Sequence, residues 1–98
     1  MRESDFQAKL IKKLKAMFPG CLVLKNDSGY IQGIPDLTIL WHDHWAFLEC
    51  KNSVKAERQP NQEYYVQIAD EFSFGRFIFP ENEEDVLRDL QQAFGLHR

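Results

Sequence analysis

Three charged residues in this 98-residue chain are spaced so that they can act together. Asp36 follows Gly33-Ile34-Pro35, and Glu49 and Lys51 bracket Cys50. The 13 positions from Asp36 to Glu49 leave room for a strand, a tight turn and a returning strand, so the second carboxylate is expected back beside the first. Side chains alternate along a strand, which puts Glu49 and Lys51 on one face and Cys50 on the other. Two adjacent carboxylates repel each other, and one lysine does not fully compensate them. A hard divalent cation does, because it takes carboxylate and carbonyl oxygens and keeps several waters. The Cys50 carbonyl lies between the two side chains in sequence and can complete such a set. A cation of this kind withdraws charge from a phosphate. A neighbouring lysine can hold an attacking water, favour its deprotonated form or stabilise developing charge. Together these groups suit phosphodiester hydrolysis. The plainer alternative is an exposed cross-strand ion pair contributing roughly 0.2–1 kcal/mol. Against it, Glu49 and Lys51 end the apolar run Trp45-Ala46-Phe47-Leu48, an odd place for an incidental surface pair.

The elements that must position these residues are legible in the periodicity. Ser4-Asp5-Phe6-Gln7 fits a capping box, with Ser4 as N-cap and Gln7 reaching back. Phe6, Leu10, Leu14 and Met17, joined by Ile11 and Phe18, then keep helical spacing until Pro19-Gly20. Cys21 to Lys25 reads as a short strand, and the polar stretch Asn26 to Gly33 as a loop. Leu37 to Trp41 and Trp45 to Lys51 are strands around the turn His42-Asp43-His44. Pro60 suits the first turn of a second helix running to about Glu71. Gly75 to Phe79 is a fourth strand, bounded by Pro80. Asn82 is the expected cap of a last helix whose first turn, Glu83-Glu84-Asp85, complements the helix dipole. Val86, Leu87, Leu90 and Phe94 form its apolar face, and Gly95 stops it. The order is αβββαβα, an α/β fold with a four-stranded mixed sheet in a single domain over residues 1–98.

Composition sets limits on function. At 44% hydrophobic the chain can build a core and reads as globular. So small a domain buries a modest share of its surface, which favours a dimer. No apolar run is long enough to span a membrane, and no signal-peptide hydrophobic region follows the first residues. Cys21 and Cys50 both lie in apolar strands, so buried, reduced thiols and a cytoplasmic setting are expected. The net charge of −3 disguises a division: residues 1–58 carry +2 and residues 59–98 carry −5. Lys9, Lys12, Lys13, Lys15, Lys25, Lys51, Lys55 and Arg58 in the first part are available for phosphate contacts.

Glu3, Gly33-Ile34-Pro35-Asp36-Leu37, Phe47-Leu48-Glu49-Cys50-Lys51 and Gln62 form a series along the whole chain. In this series the chain resembles the virus-type replication-repair nuclease (VRR-NUC) family of the PD-(D/E)XK superfamily. The resemblance implies a restriction-endonuclease-like αβββαβ core with one helix added. It implies that Asp36 and Glu49, with the Cys50 carbonyl, ligate Mg²⁺ or Mn²⁺, that Lys51 acts on the water, and that Gln62 orients the site. Glu3 then corresponds to an acidic metal-binding residue on the first helix; its position equally suits a carboxylate favouring a helix N-terminus. Gln59 is a second candidate for the helper glutamine. The implied activity is that of an Mg²⁺-dependent DNA endonuclease without a small-molecule cofactor, in the cytoplasm of a bacterium or a phage-infected host cell. Stand-alone phage-type members look like homodimers that cut branched DNA such as Holliday junctions. Two other readings remain: a less selective nuclease on single strands, flaps or nicks, and a catalytically silent DNA-binding module in which Glu49 and Lys51 are a structural pair. On the substrate side the candidates are Lys25, Ser28, Tyr30, Lys55 and Arg58. Trp41, Trp45, Tyr64 and Phe72 are candidate interface anchors, and His42-Asp43-His44 reads as a solvated turn.

Overall fold

The computed structural model describes residues 2–95. Its elements are α1 (Glu3–Met17), β1 (Leu22–Lys25), β2 (Leu37–Trp41), β3 (His44–Cys50), α2 (Gln62–Phe72), β4 (Gly75–Ile78) and α3 (Glu83–Ala93). The strands form one mixed sheet in the order β1-β2-β3-β4. β1, β2 and β3 run as an antiparallel meander, and β4 joins β3 in parallel after the α2 crossover. This is the α/β arrangement and element order expected from the periodicity.

Strand alternation divides the sheet into two faces. Leu37 and Ile39 of β2 lie opposite Leu48 and Ala46 of β3, and all four are buried with Cys50 against Phe6, Leu10 and Leu14 of α1 and Val86, Leu87 and Leu90 of α3. Thr38, Leu40, Trp45, Phe47 and Glu49 therefore occupy the other face. There α2 covers β3 and β4, and the β1–β2 half has no helix over it among the described residues. Gly75 is what lets α2 come so close: a Cβ there would sit 2.3 Å from the Val66 carbonyl and 2.8 Å from the Ala69 Cβ. Any other residue would lift the helix off β4.

The helix starts differ from the sequence expectations, each for a tertiary reason. Ser4 is not the N-cap of α1. The helix begins at Glu3, with the Asp5 and Phe6 N–H groups donating to the Arg2 carbonyl and no side-chain cap. Glu3 and Asp5 thus stand in the first turn, where carboxylates complement the exposed N–H groups, and Asp5 also binds the Arg2 guanidinium at 3.2 Å. Gln7 makes no side-chain cap and lies half-buried on the side of α1 that faces Cys50. Asn82 precedes α3 as expected, yet its side chain staples the turn behind it: Oδ1 accepts from the Phe79 N–H and Nδ2 donates to the Phe77 carbonyl.

Two other boundaries shift. α2 starts at Gln62 rather than at Pro60, because Asn61 intervenes in the left-handed region at φ 71°, a conformation asparagine tolerates. The hairpin turn is His42-Asp43 alone, and His44 already pairs with Trp41. Trp41 itself belongs to this chain's own packing. Its ring lies 5.2 Å from Phe18 and stacks at 6.3 Å on Phe94, and its Nε1 donates to the Pro19 carbonyl at 3.0 Å. Cys21 and Cys50 are buried free thiols.

Candidate active site

At the end of the β2–β3 hairpin opposite its turn, the chain brings the expected carboxylates together. The β2–β3 register, continued one step past Leu37 and Leu48, sets Asp36 opposite Glu49. Each carboxylate is held by the other strand's main chain. The Asp36 N–H donates to Glu49 Oε1 at 3.1 Å, and the Cys50 N–H donates to Asp36 Oδ2 at 3.0 Å. From the start of α2, Gln62 Nε2 donates to Glu49 Oε2 at 2.9 Å. Gln62 is held in turn, since its Oε1 accepts from the Gln59 N–H at 2.8 Å. Gln62 therefore touches the site through its side chain, and Gln59 supports it from the main chain.

Glu49 is only 2% exposed and Lys51 6%, so this is not a solvated ion pair. The Lys51 ammonium lies 3.7 Å from Glu49 Oε2 but donates to the Glu57 carbonyl at 3.0 Å. The β3–α2 loop, rather than the carboxylate, sets its position. Burial and then the Asp36 charge push the Glu49 carboxyl up to about 8. Burial also raises Asp36, against the opposing Cys50 N–H and Lys51 charge. Glu3 is raised by partial burial and then by Asp36. The cluster thus holds more negative charge than its surroundings stabilise, and the Asp36–Glu49 pair retains a proton near neutral pH.

Glu3, Ser28, Asp36, Glu49, Lys51, Gln59 and Gln62 all line one cavity of about 470 Å³. Gln32 and Glu57, which sequence reasoning did not single out, line it as well; as loop residues they belong to no periodic pattern. Its two loops meet at Gly33, at φ 89°, where a Cβ would fall 2.5 Å from the Asn61 Cβ and 2.7 Å from the Pro60 carbonyl. Four of the substrate-side candidates lie elsewhere. Lys25, Tyr30 and Lys55 are exposed outside the cavity, Tyr30 at 86%. Arg58 turns away, stacking 3.8 Å over the Phe77 ring and pairing with Glu63 at 3.4 Å.

The donor set fits a hard divalent cation. Asp36 and Glu49 offer oxygens only, and their surplus charge is what a cation would neutralise. The N–H and C=O of one strand residue point to the same edge, so the Cys50 carbonyl is turned toward the Asp36 side, where its N–H already donates. Among the described residues no three His, Cys, Asp or Glu side chains close a cage by themselves; Glu3 lines the cavity without closing one with Asp36 and Glu49. The remaining positions of a cation would therefore fall to the carbonyl and water, as is usual for Mg²⁺. Burial pushes the Cys50 thiol far up, so it stays protonated.

No protein-family model, curated protein or solved structure matches the chain. Among the described residues no helix is long and apolar enough to cross a membrane.

Proposed function

We propose that this chain is a PD-(D/E)XK-type nuclease of the VRR-NUC kind, hydrolysing phosphodiester bonds in DNA with Mg²⁺ or Mn²⁺. The observation that carries the proposal is the buried Asp36–Glu49 pair, over-supplied with negative charge and set beside a buried lysine whose amine another group positions. Burying a carboxylate pair that one lysine does not fully compensate opposes folding, and a cation-dependent activity gives the arrangement a use.

Asp36, Glu49 and the Cys50 carbonyl would hold the cation. The chemistry supplied by such a cation when bound is Lewis-acid stabilisation of negative charge on phosphate. Gln62 keeps Glu49 in one orientation. Lys51 has three N–H donors, of which the Glu57 carbonyl takes one. The others are left for Glu49 and for an attacking water, whose deprotonated form the ammonium favours. Glu3, which lines the same cavity, would add a further carboxylate to the surroundings of the cation.

The preferred substrate is branched DNA, and the working form is a homodimer that presents two such cavities. The uncovered β1–β2 half of the sheet suits the dimer contact, since Leu22, Leu24 and Leu40 are exposed there. Phe72 at the end of α2 is 73% exposed and Tyr64 on the same helix 57%. Trp41 is spent on the chain's own core. Leu40→Glu should leave a folded monomer by light scattering, and a dimer unaffected by this change would move the contact elsewhere.

A panel of labelled four-way junction, flap, single-strand and duplex DNA, incubated in EDTA, Mg²⁺, Mn²⁺ or Ca²⁺, tests the function. Cleavage is expected in Mg²⁺ and Mn²⁺, with the junction cut best and none cut in EDTA. Cutting in EDTA, or restored by Zn²⁺ alone, would overturn the carboxylate site. DNA binding without cleavage in any metal would leave the silent-module reading.

A further inference from the structure

We propose that Asn26 is a positioning residue for the site, fixing the main chain on both sides of Asp36 and, through one peptide unit, the Glu49 carboxylate. Its consequence for cation binding rests on the nuclease reading; its geometry does not. Asn26 follows β1 directly. The register that pairs Leu24 with Thr38 and Lys25 with Leu37 places Asn26 opposite Asp36 at the next step. Asn26, Asp36 and Glu49 thus form a row across three strands, on the face that carries α2.

Asn26 uses its main chain and its side chain for different ends of Asp36. Its N–H donates to the Asp36 carbonyl at 2.8 Å. Its Nδ2 donates to the Pro35 carbonyl at 2.9 Å and to Thr38 Oγ1 at 2.8 Å, and Thr38 Oγ1 lies 3.1 Å from Asn26 Oδ1. A carbonyl has no hydrogen to give, so the amide nitrogen, not the oxygen, must face Pro35. Proline has no N–H, which leaves its carbonyl as the only main-chain handle at that position.

The Pro35–Asp36 peptide is therefore gripped at both ends. Asn26 Nδ2 binds its carbonyl, and its N–H donates to Glu49 Oε1 at 3.1 Å. A donor on the carbonyl of a peptide polarises the N–H at the other end and strengthens what that N–H donates to. Asn26 thus acts on Glu49 through a single amide plane without touching either carboxylate. A residue that merely closed the loop would need no such alignment with the site.

The test uses the full chain with Asn26→Ala and with Asn26→Asp, which keeps the shape but loses the amide donor. Thr38→Val serves as the control that retains the Pro35 bond. In metal-free protein, both Asn26 variants are expected to speed exchange of the Asp36 amide hydrogen by at least about tenfold, as read by NMR. The Leu10 and Leu14 amides in α1 should stay protected. The same variants should bind Mn²⁺ about tenfold more weakly by calorimetry, the size of effect seen when support for a metal ligand is removed. Cleavage should fall in kcat with KM for DNA unchanged, and Thr38→Val should match the wild type throughout. Unchanged Asp36 exchange overturns the proposal, as does faster exchange with unaltered Mn²⁺ affinity. Loss of protection across α1 would make Asn26 a folding residue and also overturn it. If the wild type binds no Mn²⁺ while the Asn26 variants still free the Asp36 amide, the metal reading fails and the positioning by Asn26 stands.

Discussion

Metal-free protein should become less stable as pH rises from about 5 to 8, and Asp36→Asn should remove part of that loss. Glu49 holds its proton to about pH 8 in the folded chain, against an ordinary value of 4.5. Below 4.5 Glu49 is protonated in both states and contributes no pH dependence. Between 4.5 and 8 the unfolded chain has released a proton that the folded chain retains. Stability therefore falls by about 1.4 kcal/mol per pH unit across this interval. Over the whole interval the loss is on the order of 5 kcal/mol, much of the total stability of so small a domain. Burial is the larger cause and the Asp36 charge the second, so Asp36→Asn should recover only a part, about 1–2 kcal/mol at pH 8. Urea denaturation in EDTA, followed by Trp41 and Trp45 fluorescence at half-unit steps from pH 5 to 8.5, measures both effects. The series stops there because the raised thiols of Cys21 and Cys50 add a loss of the same sign at higher pH. Millimolar Mg²⁺ should restore the wild type at pH 8 and leave the variant nearly unchanged, since a ligand that binds only the folded state stabilises it by mass action. A flat profile for the wild type, or a variant less stable than it at pH 8, would refute the account of the site as a charge-surplus pair.

Three other outcomes follow from the same geometry. Lys51→Ala should reduce cleavage by 10²-fold or more, the scale of a lost general acid–base or charge-stabilising group, with DNA binding retained; a filter-binding assay beside the cleavage assay reads the difference. Gly33→Ala should cost about 1–3 kcal/mol from its left-handed backbone and the clash with Pro60 and Asn61, and thermal melting measures that. Gln62→Ala should lower Mn²⁺ affinity about tenfold whereas Gln59→Ala should not, because only the Gln62 side chain reaches Glu49; calorimetry on both separates them.

What the sequence displayed well was whatever depended on period and count. Alternation put Glu49 on one face and Cys50 on the other, and the 13-residue interval returned Glu49 to Asp36. What it displayed poorly was where a single polar side chain spends its hydrogen bonds. Ser4, Gln7 and Asn82 all have types and spacings suited to capping. Gln7 makes no cap, Asn82 found its partners behind the helix, and Arg2 supplied the start that Ser4 was expected to give. Loop cations were illegible for a related reason. Nothing in the order of residues 52–61 tells that Arg58 will stack on Phe77 while Glu57 turns its carbonyl to Lys51. The neighbours of Trp41, a candidate interface anchor in the sequence, were not legible either: Phe18 and Phe94 reach it from the ends of α1 and α3.

Cys50 presents its main chain to one side of the sheet and its thiol to the other. The N–H belongs to the Asp36 carboxylate, while the side chain is sealed in the core beneath α1 and α3 with no exposure. A thiol reagent can reach it only when the helices on that face, α1 and α3, part from the strands, so its rate of labelling is a clock for that opening and scales with the fraction of time the chain spends ajar. The clock sits on the residue between two groups of the site, while the Asp36 and Glu49 side chains belong to the other face of the sheet. Breathing of the scaffold and events in the cavity can thus be timed separately in the same molecule.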